Sequence, residues 1–304
     1  MIQGKSLFIY NPISGPDHKR VPHTIIEESM RFSGIEFDTL ITEYRGHAID
    51  FLRSVNGKYQ TIVCSGGDGT INEIINSADL THNTGIIFLS QGTGNDLHRT
   101  VLSLNGRSGG SKFDFSRYKN YLNIDIGVVE GIYEDGTTFQ KKFCNAVGVG
   151  LDSLIAKYVS EIRKRNNFSY ILSLLKAIFH YTPLKVKITD HNCTVDKKMI
   201  LLSVNNGMTS GGGFYLAPDA KLDDRRLDLC FINVLSKARI ILNFPKVLSN
   251  RIKEFSEVEL FQSDYYKIEL EKPYYLHIDG EMEKKLVKQF EVKLQEKTIK
   301  LLVP

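Results

Sequence analysis

The chain has 304 residues, a length that predicts about two domains and enough core to fold without disulfide or metal staples. A hydrophobic content of 42% and a charged content of 24% are those of a soluble globular protein, and a net charge of +4 argues against a nucleic-acid partner. Four scattered cysteines without metal-ligand spacing predict buried, reduced thiols in a cytoplasmic protein.

No segment of the sequence predicts export or membrane insertion. Residues 1–10 contain a single Lys and an apolar run that is too short for a secretory signal. No stretch approaches the ~20 apolar residues that a membrane-spanning helix needs. The sequence therefore predicts neither a leader nor a membrane anchor.

The first two predicted strands, residues 7–10 and 37–41, both end in small polar residues. The first runs into Asn11, which opens the sequence Asn-Pro-Ile-Ser-Gly. The second is closed by Thr42, and a helix is predicted to start at the Gly-His-Ala sequence that begins with Gly46. Each strand end alone is a weak signal, because a single Thr at such a position is often structural.

The third predicted strand, residues 59–63, leads into a glycine-rich turn and a helix. The turn and helix start comprise Gly66, Gly67, Asp68, Gly69, Thr70, Ile71 and Asn72. Glycines remove side chains where an anion must approach, and a helix N-terminus adds partial positive charge. At Gly67 a positive φ is a second expected reason for glycine, and Asp68 suits a metal or a proton. This turn is predicted to hold a nucleotide phosphate.

A second turn of this kind, Gly-Thr-Gly-Asn-Asp, follows the strand predicted at residues 84–89. It contains Thr93 and ends at Asp96. Two consecutive strand–turn–helix units place both turns at the same end of a parallel sheet, where α/β proteins bind ligands. Because the sequence has no Walker A motif and no protein-kinase motif set, backbone N–H groups and small side chains must hold the phosphates. Thr93 fits that role, and Asn11 and Thr42 are placed in it mainly by the family resemblance given below.

The pattern of elements divides the chain into two unlike parts. Up to about residue 125, strands alternate with helices, which predicts an α/β domain with a parallel sheet and helices on both faces. Beyond it, strands dominate and predict a mainly antiparallel β-sandwich, interrupted by helices near residues 151–163 and 168–180. The predicted strands of this part are 122–129, 139–147, 184–189, 198–205, 226–234, 258–260, 265–270, 274–278, 290–294 and 299–303.

In this order, the motifs resemble the diacylglycerol kinase catalytic-domain family, above all its soluble bacterial lipid kinases, with sphingosine and ceramide kinases as relatives. The likeness continues through N-A-V-G-V-G-L-D from Asn145, N-G-M-T-S-G-G-G-F from Asn206, A-P-D-A-K-L-D-D-R-R-L-D-L from Ala217 and the Asp-Gly-Glu that ends at Glu281. It implies the two-domain architecture shared by NAD kinases and diacylglycerol kinases. Residues 1–125, joined by strands at about 292–304, are expected to bind the nucleotide, and residues 126–291 the lipid.

The resemblance also implies a function. The expected activity is ATP- and Mg²⁺-dependent transfer of the γ-phosphate to a lipid hydroxyl, within lipid metabolism and phospholipid biosynthesis, with ATP in the cleft between the domains. The expected partners are a lipid substrate and a peripheral membrane surface, at the inner face of the membrane. The sequence leaves open a homodimer, and it does not distinguish diacylglycerol, a sphingoid base, ceramide or a polyprenol-type alcohol.

The family resemblance implies that Glu281 is the catalytic base. From the residues alone, the Asp-Gly-Glu triplet after the strand 274–278 is more simply a hairpin turn with a solvated acid. Asp68 is the rival base, or it holds the Mg²⁺ that bridges the phosphates. The choice between the two acids stays open at this point.

A second, structural Mg²⁺ site is implied by the resemblance in the acidic loop at residues 219–226. Asp224 would supply a carboxylate, and Lys221 and Arg226 would supply backbone carbonyls, which are ligands that a hard cation favours. The chain departs from the family at Arg225, where Gly is usual. We expect the positive side chain and the loss of a positive-φ residue to weaken this site.

Lipid recognition has two candidate regions. Residues 167–183 are apolar on most faces and flanked by Arg163, Lys164, Arg165, Lys185 and Lys187. This helix is expected to rest on an anionic membrane or to line an acyl pocket, unless it is a core helix with solvated charged ends. By resemblance, Asp125 faces the lipid head group with Asp96 in support, although both also suit turn or cap positions.

Two other functions compete with a lipid kinase. A small-molecule kinase of the NAD kinase type shares the Gly-Gly-Asp-Gly-Thr turn, but it is expected to carry a Thr-Asp-Gly-Ser-Thr-Ala-Tyr-like segment, which the sequence lacks. A non-catalytic nucleotide-binding regulator is expected to have lost Asp68 or Glu281, and both are present. The sequence therefore favours the lipid kinase.

Overall fold

The computed structural model describes residues 2, 4–55, 57–77, 84–105, 113–161 and 167–304. It divides the chain into two compact units. The first unit comprises Met1–Ile126, Leu222–Asp224 and Gln295–Pro304, and the second comprises Gly127–Lys221 and Arg225–Leu294.

The helices and strands are numbered here in chain order. The α-helices are α1 (His23–Phe32), α2 (His47–Val55), α3 (Asp68–Ser77), α4 (Asp96–Asn105), α5 (Leu151–Ser160), α6 (Asn167–His180) and α7 (Lys237–Leu248). The strands are β1 (Ser6–Tyr10), β2 (Phe37–Ile41), β3 (Thr61–Gly66), β4 (Gly85–Ser90), β5 (Asn120–Ile124), β6 (Gly127–Tyr133), β7 (Thr138–Phe143), β8 (Ala146–Gly150), β9 (Leu184–Thr189), β10 (Thr194–Asn205), β11 (Thr209–Ser210), β12 (Phe214–Tyr215), β13 (Leu227–Asn233), β14 (Val258–Ser263), β15 (Tyr265–Tyr274), β16 (Leu276–Ile278), β17 (Glu281–Met282), β18 (Val287–Leu294) and β19 (Ile299–Val303).

The first unit is an α/β domain, as predicted. Its described residues form a six-stranded sheet in the order β2-β1-β3-β4-β19-β5, in which only β5 runs antiparallel to its neighbour. Strands β1, β3 and β4 are buried along their whole length, which is typical of central parallel strands covered on both faces. Helix α1 is amphipathic and buries Ile26 and Met30 in the core.

The second unit is the expected antiparallel β-sandwich-like domain. Within the described ranges, eleven strands form a sheet that follows the path β17-β16-β8-β10-β9-β15-β18-β6-β7, with β13 on β10 and β14 on β13. Large buried side chains such as Phe143, Phe231, Tyr266 and Phe290 fill its core. Helices α5, α6 and α7 contribute to a second buried cluster around Ile178.

Two predicted strands are each split in two, for the same reason. The strand predicted at 122–129 breaks at Asp125, whose backbone N–H donates to the Leu222 carbonyl at 2.5 Å instead of to a strand. The strand predicted at 139–147 breaks between Phe143 and Ala146, where the backbone N–H groups donate to a side-chain carboxylate. A partner far away in the sequence therefore replaces the ladder hydrogen bonds at both breaks.

Helix α7 and one cysteine also differ from expectation. No element is predicted from the sequence at Lys237–Leu248, where the structure has a helix with Pro245 in its interior and the hydroxyl of Ser236 as its N-cap. The cysteines were predicted to be buried, but Cys193 is exposed in the hairpin between β9 and β10. Burial holds for the other three cysteines and raises the pKa of the Cys64 and Cys230 thiols.

Candidate active site

The carboxyl ends of four neighbouring parallel strands form one edge of the first unit. Tyr10 at the end of β1 lies opposite Ile41 of β2 and Ser65 of β3. The next residues continue the ladder, because the Asn11 N–H donates to the Ser65 carbonyl at 3.0 Å and the Thr42 N–H donates to the Tyr10 carbonyl at 2.9 Å. The register thus brings together strand ends that the sequence spreads over about eighty residues.

The two glycine-rich turns after β3 and β4 touch through their backbones. A Cβ added to Gly92 would lie 2.7 Å from the Cα of Gly67, a separation that Cβ atoms do not tolerate. A Cβ added to Gly67 would lie 3.2 Å from the Gly92 Cα and 3.1 Å from the Ser14 hydroxyl. Gly67 itself has no positive φ, so that part of the expectation is wrong. Close backbone approach is the reason for glycine at both positions.

Two side chains that the sequence reasoning missed hold this edge together. The Gln91 side chain accepts from the Val21 N–H at 2.7 Å and donates to the Ser65 hydroxyl. The Arg20 guanidinium donates to the carbonyls of Ser14 and Gly15, both at 2.9 Å. The place of Gln91 directly before the Gly-Thr-Gly sequence is a usable signal for its role, whereas nothing around Arg20 marks it.

Several predicted site residues contact one another. The Asn11 side-chain amide donates to the Thr70 hydroxyl at 2.9 Å, and a Cβ on Gly66 would lie 2.5 Å from that hydroxyl. The Thr42 hydroxyl is buried and lies 3.4 Å from the Tyr10 carbonyl. Asn11, Gly66 and Thr70 therefore contact one another at the strand-end edge, and Thr42 lies on the same edge.

Two backbone N–H groups in the first turn of α3 are hydrogen-bonded within that turn. The N–H groups of Thr70 and Ile71 donate to the Gly67 carbonyl at 3.0 and 3.2 Å, and the Ile71 side chain is buried in the core. Glu73, one turn further, accepts from the Gly46 N–H at 2.8 Å. That hydrogen bond links the Gly-His-Ala motif to the helix that follows the glycine-rich turn. Asn72 in the same helix is half-buried, and Thr93 in the following turn is exposed.

Two acids stand at the beginnings of α3 and α4. Asp68 is the first residue of α3, and its carboxylate accepts from the backbone N–H of Asp96, the first residue of α4, at 3.3 Å. Negative charge is favourable at a helix N-terminus. Asp125 is fully buried after β5. Within the described ranges, no three His, Cys, Asp or Glu side chains gather as a metal cluster.

The Asp-Gly-Glu triplet of the second unit is a two-residue β-hairpin. Strands β16 and β17 pair with Ile278 opposite Glu281, so Asp279 and Gly280 form the loop. Their φ values are +49° and +78°, as a type I′ turn requires of both central residues. The interpretation as a hairpin is therefore confirmed.

The loop acid Asp279 is buried, whereas Glu281, the acid that the hairpin interpretation concerned, is half-buried. Asp279 is only 9% exposed. Its carboxylate accepts from three consecutive backbone N–H groups, those of Cys144 at 3.0 Å, Asn145 at 2.9 Å and Ala146 at 3.0 Å. Asp279 thus anchors the hairpin to the start of β8.

Two glutamates follow the hairpin loop and differ in their surroundings. Glu281 is half-buried. Glu283 is buried, forms an ion pair with Lys141 and accepts from the Tyr133 hydroxyl at 2.5 Å. Burial and the Glu283 carboxylate raise the pKa of Tyr133. Glu283 is therefore held by neighbouring side chains, whereas Glu281 is partly open to solvent.

The acidic loop retains a residue with positive φ, although the replacement of glycine by Arg225 predicts its loss. Arg225 has a φ of +60°, so the left-handed residue is retained although its side chain is not glycine. Lys221 and Arg226 are exposed and Asp224 is half-buried. Asp219 at the start of the loop pairs with Lys253. The objection from positive φ is therefore wrong, and the metal site itself stays a prediction.

Helix α6 has one buried and one exposed face. Leu174, Ala177 and Ile178 belong to a buried cluster, whereas Leu172 and Phe179 are 57% and 59% exposed. The basic residues predicted to flank it at 163–165 lie outside the described residues. In the part of the chain that the structure describes, no helix has the length and apolar character to cross a membrane.

Known proteins share both units of this chain. Residues 5–128 match the family model of the diacylglycerol kinase catalytic domain, and residues 145–302 match the YegS C-terminal NAD kinase beta sandwich-like domain. A diacylglycerol kinase of Bacillus subtilis strain 168 is 24% identical over 287 residues, which cover 91% of this chain and 89% of that protein.

Solved structures show the same fold. A diacylglycerol kinase from Bacillus anthracis str. Sterne superposes with a TM-score of 0.66 at 19% identity and covers 99% of this chain and 97% of its own. An NAD kinase from Archaeoglobus fulgidus in complex with ATP gives a TM-score of 0.52 at 13% identity, with coverage of 99% and 94%. The two-unit architecture is therefore common to both groups of kinases.

Proposed function

Because the chain belongs to the lipid kinase family that joins a diacylglycerol kinase catalytic domain to a YegS-type C-terminal domain, we propose that it transfers the γ-phosphate of ATP to a lipid hydroxyl. Diacylglycerol or a related lipid alcohol is the proposed acceptor. The observation that carries the proposal is the glycine-only contact between the turns that follow β3 and β4. Such a contact leaves backbone N–H groups as the means of holding an anion.

The phosphates of ATP are assigned to this strand-end edge. Since the N–H groups of Thr70 and Ile71 are engaged by the Gly67 carbonyl, we assign the phosphate contacts to the backbone of Gly67 and Gly69. Asn11, Thr42, Asn72 and Thr93 are proposed to line the nucleotide. The N-terminus of α3 adds partial positive charge at the same place.

Mg²⁺ is assigned to Asp68. Mg²⁺ in kinases is held by one or two carboxylates together with substrate phosphates and water, not by a cage of protein ligands. A single carboxylate at the start of α3, next to the start of α4, fits that donor set, and it needs no third acid nearby. When bound, Mg²⁺ neutralises charge that develops on the phosphates.

We assign to Glu281 the role of the general base that removes the proton of the attacking hydroxyl. A general base must be partly accessible to substrate and held firmly. Glu281 is half-buried and directly follows a hairpin loop that Asp279 anchors through three hydrogen bonds. Asp96 and Asp125 are proposed to support the lipid head group, and Asp224, with the carbonyls of Lys221 and Arg226, to hold a structural Mg²⁺.

We assign contact with the membrane that supplies the lipid to the exposed face of α6. Leu172 and Phe179 lie on this face, and the Lys237 ammonium lies 5.8 Å from the Phe179 ring centroid and donates to the Phe179 carbonyl. Apolar side chains beside a cation suit the interface of an anionic membrane. Co-sedimentation of the parent and of Phe179→Ser with vesicles of anionic and of neutral lipid tests this assignment. The assignment requires that Phe179→Ser bind the anionic vesicles more weakly than the parent does.

Labelled phosphate transfer tests the function as a whole. The protein is incubated with γ-labelled ATP and Mg²⁺ together with dispersed diacylglycerol, ceramide, a sphingoid base, a polyprenol, NAD or no acceptor, and products are identified by mass spectrometry. The proposal requires a phosphorylated lipid. Phosphorylated NAD would point to the NAD kinase type, and ATP binding without any product would point to a regulator.

A further inference from the structure

A buried His–Asp pair lies directly beneath the Asp279-Gly280 hairpin. His277 on β16 is 1% exposed and Asp152 in the first turn of α5 is 8% exposed, and the His277 Nε2 lies 3.0 Å from the Asp152 carboxylate. Gly148 of β8 makes the room, since a Cβ there would overlap both polar atoms. Buried polar groups are costly unless they are paired, so this pairing is specific.

The hydrogen bonds around the pair define the tautomer of the imidazole. The backbone N–H of Gly280 donates to the His277 Nδ1 at 3.3 Å, so Nδ1 is an acceptor and carries no proton. The proton of the neutral ring is then on Nε2 and points at the Asp152 Oδ2. The other oxygen, Oδ1, accepts from the Ser153 N–H at 2.7 Å, which fixes the carboxylate.

We propose that His277 is a positioning residue for Glu281, oriented by Asp152, and this rests on the proposed function of Glu281. The chain runs from the Asp152 carboxylate through the imidazole to the Gly280 N–H, and Gly280 immediately precedes Glu281. Asp279 anchors the same loop on its other side. The hairpin is thereby held at both of its loop residues, which limits the movement of the Glu281 backbone.

Asp152→Asn is the sharpest perturbation. Its oxygen keeps the hydrogen bond from the Ser153 N–H, so its NH₂ group faces the His277 Nε2 and forces the ring proton onto Nδ1. A donor on Nδ1 then opposes the Gly280 N–H. The Gly280 N–H then loses its acceptor, and the loop that precedes Glu281 is no longer held in place. We expect kcat to fall by about tenfold or more, with the KM for ATP unchanged.

The double variant separates positioning from a general structural effect. If Asp152 acts through Glu281, Asp152→Asn should add little further loss in the Glu281→Gln background, because coupled residues are not additive. Asp196→Asn, a surface acid paired with Lys185 at 3.2 Å, is the matched control and should keep parental kcat. An equal fall in kcat in both backgrounds overturns the proposal.

A spectroscopic readout tests the same point without activity. Nitrogen-15 NMR of the parent should show the His277 Nδ1 unprotonated and Nε2 protonated, and Asp152→Asn should reverse them and speed hydrogen exchange at the Gly280 amide. An unchanged tautomer overturns the proposal. If Asp152→Asn does not fold, His277→Asn and His277→Gln decide. Asn offers an oxygen near Nδ1 and should keep more kcat than Gln, and the opposite ranking overturns the proposal.

The outcome also distinguishes this inference from the function on which it rests. If Glu281→Gln keeps parental turnover, the role of Glu281 fails whatever Asp152→Asn does. If Glu281→Gln is impaired and Asp152→Asn is not, the proposed function stands and the positioning role fails.

Discussion

Replacing Asp279 by Asn tests the anchoring of the hairpin with the least change of shape. One carboxylate oxygen accepts from the Asn145 and Ala146 N–H groups, and the other accepts from the Cys144 N–H. Asn is also among the residues that tolerate the φ of +49° found here, so backbone strain does not change. In the variant, one oxygen keeps two donors, and an NH₂ group faces the N–H of Cys144.

The expected loss follows from the acceptor that the Cys144 N–H loses, since the Cys144 thiol, 3.5 Å from the same Asp279 oxygen, can accept from the new NH₂ group. A hydrogen bond to a charged group contributes about 1.5–3 kcal/mol, and a buried donor left without an acceptor costs a similar amount. For a chain of this size, each kcal/mol lowers the melting temperature by about 2–4 °C. Asp279→Asn should therefore lower the melting temperature by about 3–12 °C. Turnover should fall as well, because Glu281 lies two residues further along.

The assay is thermal unfolding combined with hydrogen exchange of the peptide that covers residues 141–150. Exchange should accelerate at Cys144 above all. Asp264→Asn serves as the control, since the Asp264 side chain is 60% exposed and pairs with His191 at the surface, and it should shift stability by no more than about 0.5 kcal/mol. If Asp279→Asn melts and exchanges like the parent, the three hydrogen bonds do not hold the hairpin.

Three further changes probe the other sites. Gly67→Val should weaken ATP binding with the fold retained, because its side chain enters the contact with Gly92, and tight ATP binding by the folded variant would contradict the placement of the phosphates. Asp224→Ala should abolish the rise in melting temperature that Mg²⁺ gives the parent, and an unchanged Mg²⁺ shift would exclude the structural metal site. Arg225→Gly should stabilise the protein by up to about 1 kcal/mol, since glycine adopts a φ of +60° without strain but loses more entropy on folding, and a lower melting temperature would contradict this.

The strand-end edge was predictable from sequence because its signals are local. Continuous apolar runs mark β1, β3 and β4, and glycine or a small polar residue stands within two residues after each strand. Parallel pairing then forces these ends into one row. The contact between Gly67 and Gly92 follows from that row, although only the structure shows how close the two backbones come.

The second unit was less predictable because its determinants are far apart in the sequence. Asp279 binds backbone groups more than 130 residues away, and His277 and Asp152 are separated by 125 residues. No local pattern reveals such pairs. Helix α7 was missed because Pro245 interrupts its period, and proline is rare in a helix interior. The breaks at Asp125 and Asn145 likewise depend on distant acceptors.

One set of variants distinguishes the role of Glu281 as general base from the role of Asp68 as the Mg²⁺ ligand. Turnover, ATP affinity and stability are measured for Glu281→Gln and Asp68→Asn across a Mg²⁺ titration, with Glu269→Gln, an acid in a surface pair with Lys187, as the control. Glu281→Gln should lower kcat by roughly 10²–10⁴-fold with ATP affinity and melting temperature nearly unchanged. Asp68→Asn should weaken nucleotide binding, with a loss that depends on the Mg²⁺ concentration. Near-parental turnover of Glu281→Gln, together with an inactive Asp68→Asn at saturating ATP and Mg²⁺, would exclude Glu281 as the base and make Asp68 the base.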